Sequence, residues 1–389
     1  MTRLRVVVLG MMGRMPFGGQ TWLYAHWLRG LADAGHDVVY CEDDSVWPYD
    51  PLAQRVTDDC GYAVGHVART MEGIGLPGRW AFRLEGRDDA CWGMAPRALD
   101  ELYRSCDALL NVVGATDLRE EHLRAPFRVY VQTDPVTAEL RLDNGDEHTA
   151  VAFANHDVIA TYGENYGGPD CGVPLDGRRY VKTRQPVDLR MWPAIDDGVA
   201  PDFTTIGNYR HEGEDVEWRG ETYRWSKHHE WERFVDLPSR TEQPFRMALY
   251  VRREEDRALL HRHGWRIEAP HDMSLDVFGA YRRFIQGSRG EFTVAKDQNV
   301  RLRTGWFSER DACYLASGRP VVAQDTGFGR ALPTGEGLFA VSTVEEAADA
   351  IAMINADYGR HARAARAIAE EHLEARRVVE RLLADVGLT

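Results

Sequence analysis

Short apolar runs alternate with amphipathic stretches along almost the whole chain, and this alternation restricts the fold more than any other feature. Uninterrupted apolar runs suit strands buried on both faces, as in parallel sheets, where helical crossovers must connect the strands. In the first half, strands are expected at Arg5–Leu9, Asp37–Cys41, Ala108–Val113, Arg128–Gln132 and Val158–Tyr162. Between the first two, Trp22, Leu23, Trp27, Leu28 and Leu31 recur at helical spacing within Thr21–Ala34, and Gly35 marks the stop. A second series has strands expected at Phe203–Gly207, Arg246–Val251, Trp265–Glu268, Glu291–Ala295, Pro320–Gln324 and Leu338–Val341. Val344 to Leu388 reads as helical, with a break near Asp357-Tyr358-Gly359. An aperiodic stretch rich in Pro and Asp separates the two series. The predicted architecture is α/β: two Rossmann-like, doubly wound domains (1–185 and 202–370) facing across a cleft, a linker (186–201), and a C-terminal helix (371–389) packing back on the first domain.

Composition narrows the function. Over 389 residues, Lys+Arg 47 against Asp+Glu 61 gives a net charge of −14, which argues against a nucleic-acid partner bound across the surface. No apolar run approaches the ~20 residues of a membrane span. The apolar start, Val6 to Leu9, is too short for a secretion signal. The 6 cysteines are widely spaced, with no C-x-x-C pair, so neither a zinc site nor a disulfide framework is expected, and a reducing cytoplasm is the predicted location. Only three of the 47 cations are lysine: Lys182, Lys227 and Lys296.

Ligands of doubly wound sheets bind beyond the carboxyl ends of the strands. Gly18-Gly19, between the first strand and its helix, lets backbone amides approach an anion closely; with no G-x-G-x-x-G pattern, a dinucleotide oxidoreductase loses its main support. Ser308 and Asp311 form a capping-box pattern whose free amides and Ser308 Oγ also suit a phosphate. Asp325-Thr326-Gly327-Phe328 follows a strand, where a carboxylate either accepts sugar hydroxyls or simply shapes a Gly turn. Lys227 falls at an expected helix start, where an ammonium opposes the helix dipole unless an anion lies between them. Lys296 ends a strand of the same half and is a second cleft cation. For a general base, Asp134, His156 and Glu164 lie beside strands of the first half. Trp22 and Trp27 read as core residues or, alternatively, as an aromatic platform for an acceptor.

Pro16-Phe17-Gly18-Gly19, the helix ending Gly35-His36-Asp37-Val38, and Leu315-Ala316-Ser317-Gly318-Arg319-Pro320-Val321-Val322 with Asp325-Thr326-Gly327 resemble GT-B glycosyltransferases, closest to the bacterial group related to CgeB-like spore-maturation proteins. The resemblance spans essentially the whole chain. It implies a nucleotide-sugar site in the C-terminal domain, an acceptor site in the N-terminal domain and reaction between them. The donor would be a UDP- or dTDP-sugar and the acceptor a small natural-product-like molecule or a glycan, with no tightly bound cofactor, no metal and room for a homodimer. It places Gly18, Gly19, Lys227, Ser308 and either Arg210 or Arg224 at the donor diphosphate. Two glutamates of retaining members are replaced here by Gly305 and Cys313, so Glu309 or Asp311 would take over the sugar or ribose contact, alongside Asp325, Thr326, Gly327, Phe328 and Lys296. That replacement keeps two alternatives open: a nucleotide-sugar epimerase on the same scaffold, or a silent nucleotide-sugar-binding partner.

Overall fold

The computed structural model describes residues 2–86, 90–195, 200–211 and 213–388. The first sheet contains β1 (Arg5–Leu9), β2 (Asp37–Asp44), β3 (Trp80–Leu84), β4 (Cys91–Trp92), β5 (Ala108–Val112), β6 (Arg128–Gln132), β7 (Val158–Thr161) and β8 (Tyr180–Lys182), in the order β8-β7-β6-β5-β1-β2-β3-β4. Its pairings are parallel except β3 with β4. The second sheet is wholly parallel: β9 (Phe203–Asn208), β10 (Phe245–Tyr250), β11 (Arg266–Glu268), β12 (Gly290–Thr293), β13 (Val321–Gln324) and β14 (Leu338–Val341), in the order β11-β10-β9-β12-β13-β14. Strand order reverses between β1 and β5 in one sheet and between β9 and β12 in the other, and such switch points open crevices at the carboxyl ends.

Strands with helices on both faces are apolar throughout: Val6, Val7, Val8 and Leu9 of β1 are all buried. β3 escapes the sequence pattern because Arg83 interrupts it. The charge is neutralised only in the fold, by Asp43 of β2 at 2.6 Å and Asp100 at 3.0 Å. β8 is a three-residue edge strand with too little pattern to read.

The helices that build the cleft are α1 (Gly18–Asp33), α2 (His228–Arg233), α3 (Asp297–Arg301), α4 (Glu309–Ala316) and α5 (Ala375–Asp385). α1 starts three residues earlier than its apolar spacing implies, at the glycine pair. Trp22 and Trp27 are fully buried, Trp22 edge-on to Trp192 (4.8 Å) and Phe278 (5.1 Å), so they are core residues and not an acceptor platform. The C-terminal helices follow the expected break at Asp357, and α5 packs on α1, where a Cβ on Gly30 would lie 2.7 Å from the Ala375 carbonyl oxygen. The predicted linker is not loose: Val187 and Trp192 are buried, while 196–199 lie outside the described residues. Among the described residues no helix is long and apolar enough to cross a membrane.

Candidate active site

The carboxyl ends of the two sheets meet across a cleft, and loops after β6 and β12 bridge it. The Trp306 indole N–H donates to Thr133 O at 3.0 Å, Gln298 donates to Thr137 Oγ1 at 2.9 Å, and Lys296 Nζ lies 2.6 Å from Asp134 Oδ1. Lys296 follows β12, at the second sheet's switch point, and its ammonium also sits 3.0 Å from the centre of the Trp225 ring. Burial lowers its pKa, and Asp134 draws it partly back.

Asp134 stands in a strained turn. Two residues on, Val136 has φ +94°, a conformation costing on the order of 1–3 kcal/mol in a β-branched residue. Its N–H donates to Glu139 Oε2 (2.8 Å) and to the Tyr166 hydroxyl (2.9 Å), which hold the turn. Asp134 Oδ1 is taken by Lys296, while Oδ2 has no partner among the described residues.

Lys227 is the residue before α2, not the first helical one as its spacing suggests. Its ammonium lies 5.2 Å from the Trp306 ring centre and has no acceptor or carboxylate partner among the described residues. Burial, then the positive charge of Arg310, lowers its pKa to about 7. Arg310 is anchored by Glu291 Oε1 (2.5 Å), Thr293 Oγ1 (2.7 Å) and Ile206 O (2.9 Å). Burial raises the Glu291 carboxyl, and Arg310 partly offsets the rise. A cationic pair thus forms, in which the guanidinium is fixed by direct partners and the ammonium has none among the described residues, with Asp311 and Asp134 offsetting its charge only from a distance.

The two arginines named for that role have other partners in the structure. Arg210 is held by Asp256 at 2.5 and 2.7 Å, and the Arg224 side chain turns to the half-buried His229 ring. Arg310 is masked in the sequence because Ser308–Asp311 reads as a complete helix cap, although a cation in a helix's first turn is the same anomaly that marks Lys227. The capping reading itself holds: Asp311 accepts from Ser308 N–H at 3.4 Å and also lies 3.4 Å from Arg310, so Asp311 is a cap and charge partner.

Glu309 begins α4 with its side chain 17% exposed and both carboxylate oxygens buried without a hydrogen-bond partner. Burial raises its pKa well above the usual carboxylate value. Glu309, His26 and Cys313 also bring their ligating atoms within 4.8 Å of one another. Metal binding through His26 Nε2 conflicts with its tautomer. Nδ1 accepts Asp188 N–H at 3.0 Å and burial lowers the pKa to about 3, so the neutral ring carries its proton on Nε2. Gly18 is required by close packing: a Cβ there would fall 2.4 Å from Cδ2 of Tyr281, from the other domain, whereas Gly19 is exposed.

Other predicted residues are committed elsewhere. His156 is buried within the first domain, Nδ1 donating to Ala152 O at 2.7 Å and Nε2 facing Asn111 Nδ2 at 3.2 Å, and burial lowers its pKa to about 4. Glu164 pairs with Arg184 at 2.5 Å beside the interdomain crossing. Asp325 pairs with Arg303 (3.0 Å) and accepts Gly327 N–H (2.7 Å), Thr326 donates to Trp306 O (2.5 Å), and Phe328 packs on Phe307 (5.4 Å). With φ +92° at Gly327, these four residues form a turn that buttresses the Trp306 loop.

No protein-family model and no curated protein matches the chain. Solved structures do. An alpha-glucosyltransferase in complex with UDP and a mismatched 13-mer DNA superposes with a TM-score of 0.59 at 12% identity over 100% of both chains. AviGT4, a glycosyltransferase involved in avilamycin A biosynthesis, gives 0.52 at 14% identity, covering 98% of this chain and 96% of that one. HepE of Anabaena, in complex with UDP and glucose, gives 0.55 at 11% identity over 100% of both. At these identities the likeness concerns the fold, which is the two-domain GT-B architecture.

Proposed function

We propose that the protein is a glycosyltransferase that moves a sugar from a nucleoside-diphosphate donor to a small-molecule or glycan acceptor, a relative of the CgeB-like group that needs no metal ion. The observation carrying this reading is the Lys227 ammonium, half-buried beside fixed Arg310 and without a direct ion-pair partner among the described residues, Asp311 and Asp134 acting on it only from a distance. Holding an unneutralised cation in a cleft is unfavourable unless an anion completes it. Leaving-group departure in glycosyl transfer builds negative charge on a diphosphate, and preorganised cations stabilise it without reorganisation. Lys227 and Arg310 take that role. Glu309, its carboxyl oxygens unpartnered and its pKa raised by burial, offers hydrogen bonds to sugar or ribose hydroxyls.

Asp134 is the proposed base, reading the acceptor's proton with Oδ2 while Lys296 fixes Oδ1. Residues 202–370 would hold the donor and 1–185 the acceptor. Of the neighbours above, two were solved with UDP, which makes UDP-sugars the first donors to try.

Incubation with a panel of UDP- and dTDP-sugars, monitored for free nucleoside diphosphate, tests the reading. Release that rises with an acceptor supports transfer, whereas an altered sugar without release identifies an epimerase and refutes it. Asp134→Asn is expected to bind donor as the wild type does but to lose roughly 10²–10⁴-fold in transfer rate. Wild-type turnover in that variant removes Asp134 as the base.

A further inference from the structure

We propose a second anion site, outside the cleft, where the chain crosses between the domains: a cavity that takes a compact, multiply charged oxyanion of the phosphate or diphosphate class. The cavity has a volume of about 100 Å³, and its charged lining is Lys182, Arg184, Arg377 and Arg381 against Glu164 and Glu371. Glu164 is already consumed by Arg184 at 2.5 Å, with both side chains nearly buried. The other three cations are exposed and only loosely paired. Lys182 Nζ has no carboxylate partner among the described residues. Among the described residues the Arg377 guanidinium donates only to the Glu370 backbone carbonyl, at 3.3 Å, and Arg381 meets Asp385 at 3.6 Å on an exposed helix face. Burial lowers the pKa of neighbouring His372, which therefore lines the cavity as a neutral donor or acceptor.

Among the lining residues four cations face two carboxylates, and even with Asp385 beside Arg381 a local excess of positive charge remains on a chain whose net charge is −14. A concave patch with such an excess raises the local concentration of anions and favours their binding. The four cations come from two directions. Lys182 ends β8 and Arg184 opens the outgoing crossing, whereas Arg377 and Arg381 lie one turn apart on one face of the returning α5. Between them the two crossings are joined by Val187 N–H to Leu373 O (2.7 Å) and Ala375 N–H to Val187 O (3.0 Å). An oxyanion that accepts from both groups pins α5 to the edge of the first sheet. Forked guanidiniums with a mobile ammonium match its tetrahedral oxygens.

Inorganic phosphate and inorganic pyrophosphate, titrated calorimetrically into full-length protein carrying Lys227→Ala, test this site with the cleft cation removed, so the outcome does not depend on the proposed transfer activity. Saturable binding of either anion is expected, weakened about tenfold or more when Lys182→Ala and Arg381→Ala are added. A preference for phosphate or for pyrophosphate then identifies the source class. Lys182→Arg with Arg381→Lys is expected to retain binding, which separates lost charge from lost folding, and thermal melting checks each variant. Absence of saturable binding, or binding that the Lys182 and Arg381 changes leave intact, overturns the proposal.

Discussion

The chemistry of the cleft turns on single ionisable groups. Lys227 carries a pKa lowered to about 7 from an ordinary 10.5, so between those values the unfolded chain binds a proton that the folded chain lacks. Folding stability contributed by this residue therefore rises with pH across that window. A bound diphosphate has the opposite preference, because its negative charge favours the ammonium. Affinity for a nucleoside diphosphate is expected to fall from pH 7 to 9 by at most about tenfold per pH unit, and to stay flatter in Lys227→Arg, as titration calorimetry at several pH values would record. Lys227→Ala should weaken nucleoside-diphosphate binding about 10–100-fold while leaving nucleoside binding within about threefold. Equal losses for both ligands place Lys227 away from the phosphates. Lys227 was legible because an ammonium at a helix start is a local misfit. The real role of His156 was not legible, since nothing near it in sequence reveals that both its nitrogens are engaged.

Among the elements, α1 joins the domains. Its Gly18 allows the Tyr281 ring to approach to a distance no Cβ tolerates, while a Cβ on Gly19 would meet nothing nearer than the Tyr281 hydroxyl at 3.7 Å. Gly18→Ala is expected to destabilise by about 1–3 kcal/mol in urea unfolding, with partial relief on adding Tyr281→Ala. Gly19→Ala should change stability by no more than about 0.5 kcal/mol. Equal effects at the two positions refute the packing account. The glycine pair was visible in the sequence as a loop that leads into a helix. Its division of labour was not, because the partner ring lies more than two hundred residues away in sequence.

At the scale of the whole molecule, the last helix closes the structure. Val378, Val379, Leu382 and Leu383 of α5 are buried, each contributing about 1.5–3 kcal/mol, and together they rival the stability of a typical domain. Ending the chain at residue 374 is expected to lower the melting temperature by more than 10 °C or to abolish folding, read by circular dichroism; an unchanged melt contradicts the packing described here. By itself, the sequence determined the α/β class, the doubly wound series in each half, eleven of the strand positions to within a few residues and the placing of Lys227, Lys296 and Asp134 at strand ends or loops beside them. These follow from apolar periodicity and from local misfits of charge, which are properties of neighbouring residues. Only the tertiary structure decided that Arg310 rather than Arg210 or Arg224 stands by Lys227, that Asp134 is bound to Lys296, and that Glu164 belongs to the crossing. Each of those outcomes depends on which charges, distant along the chain, share one low-dielectric space, and Coulomb interactions through space leave no periodic trace in the order of residues.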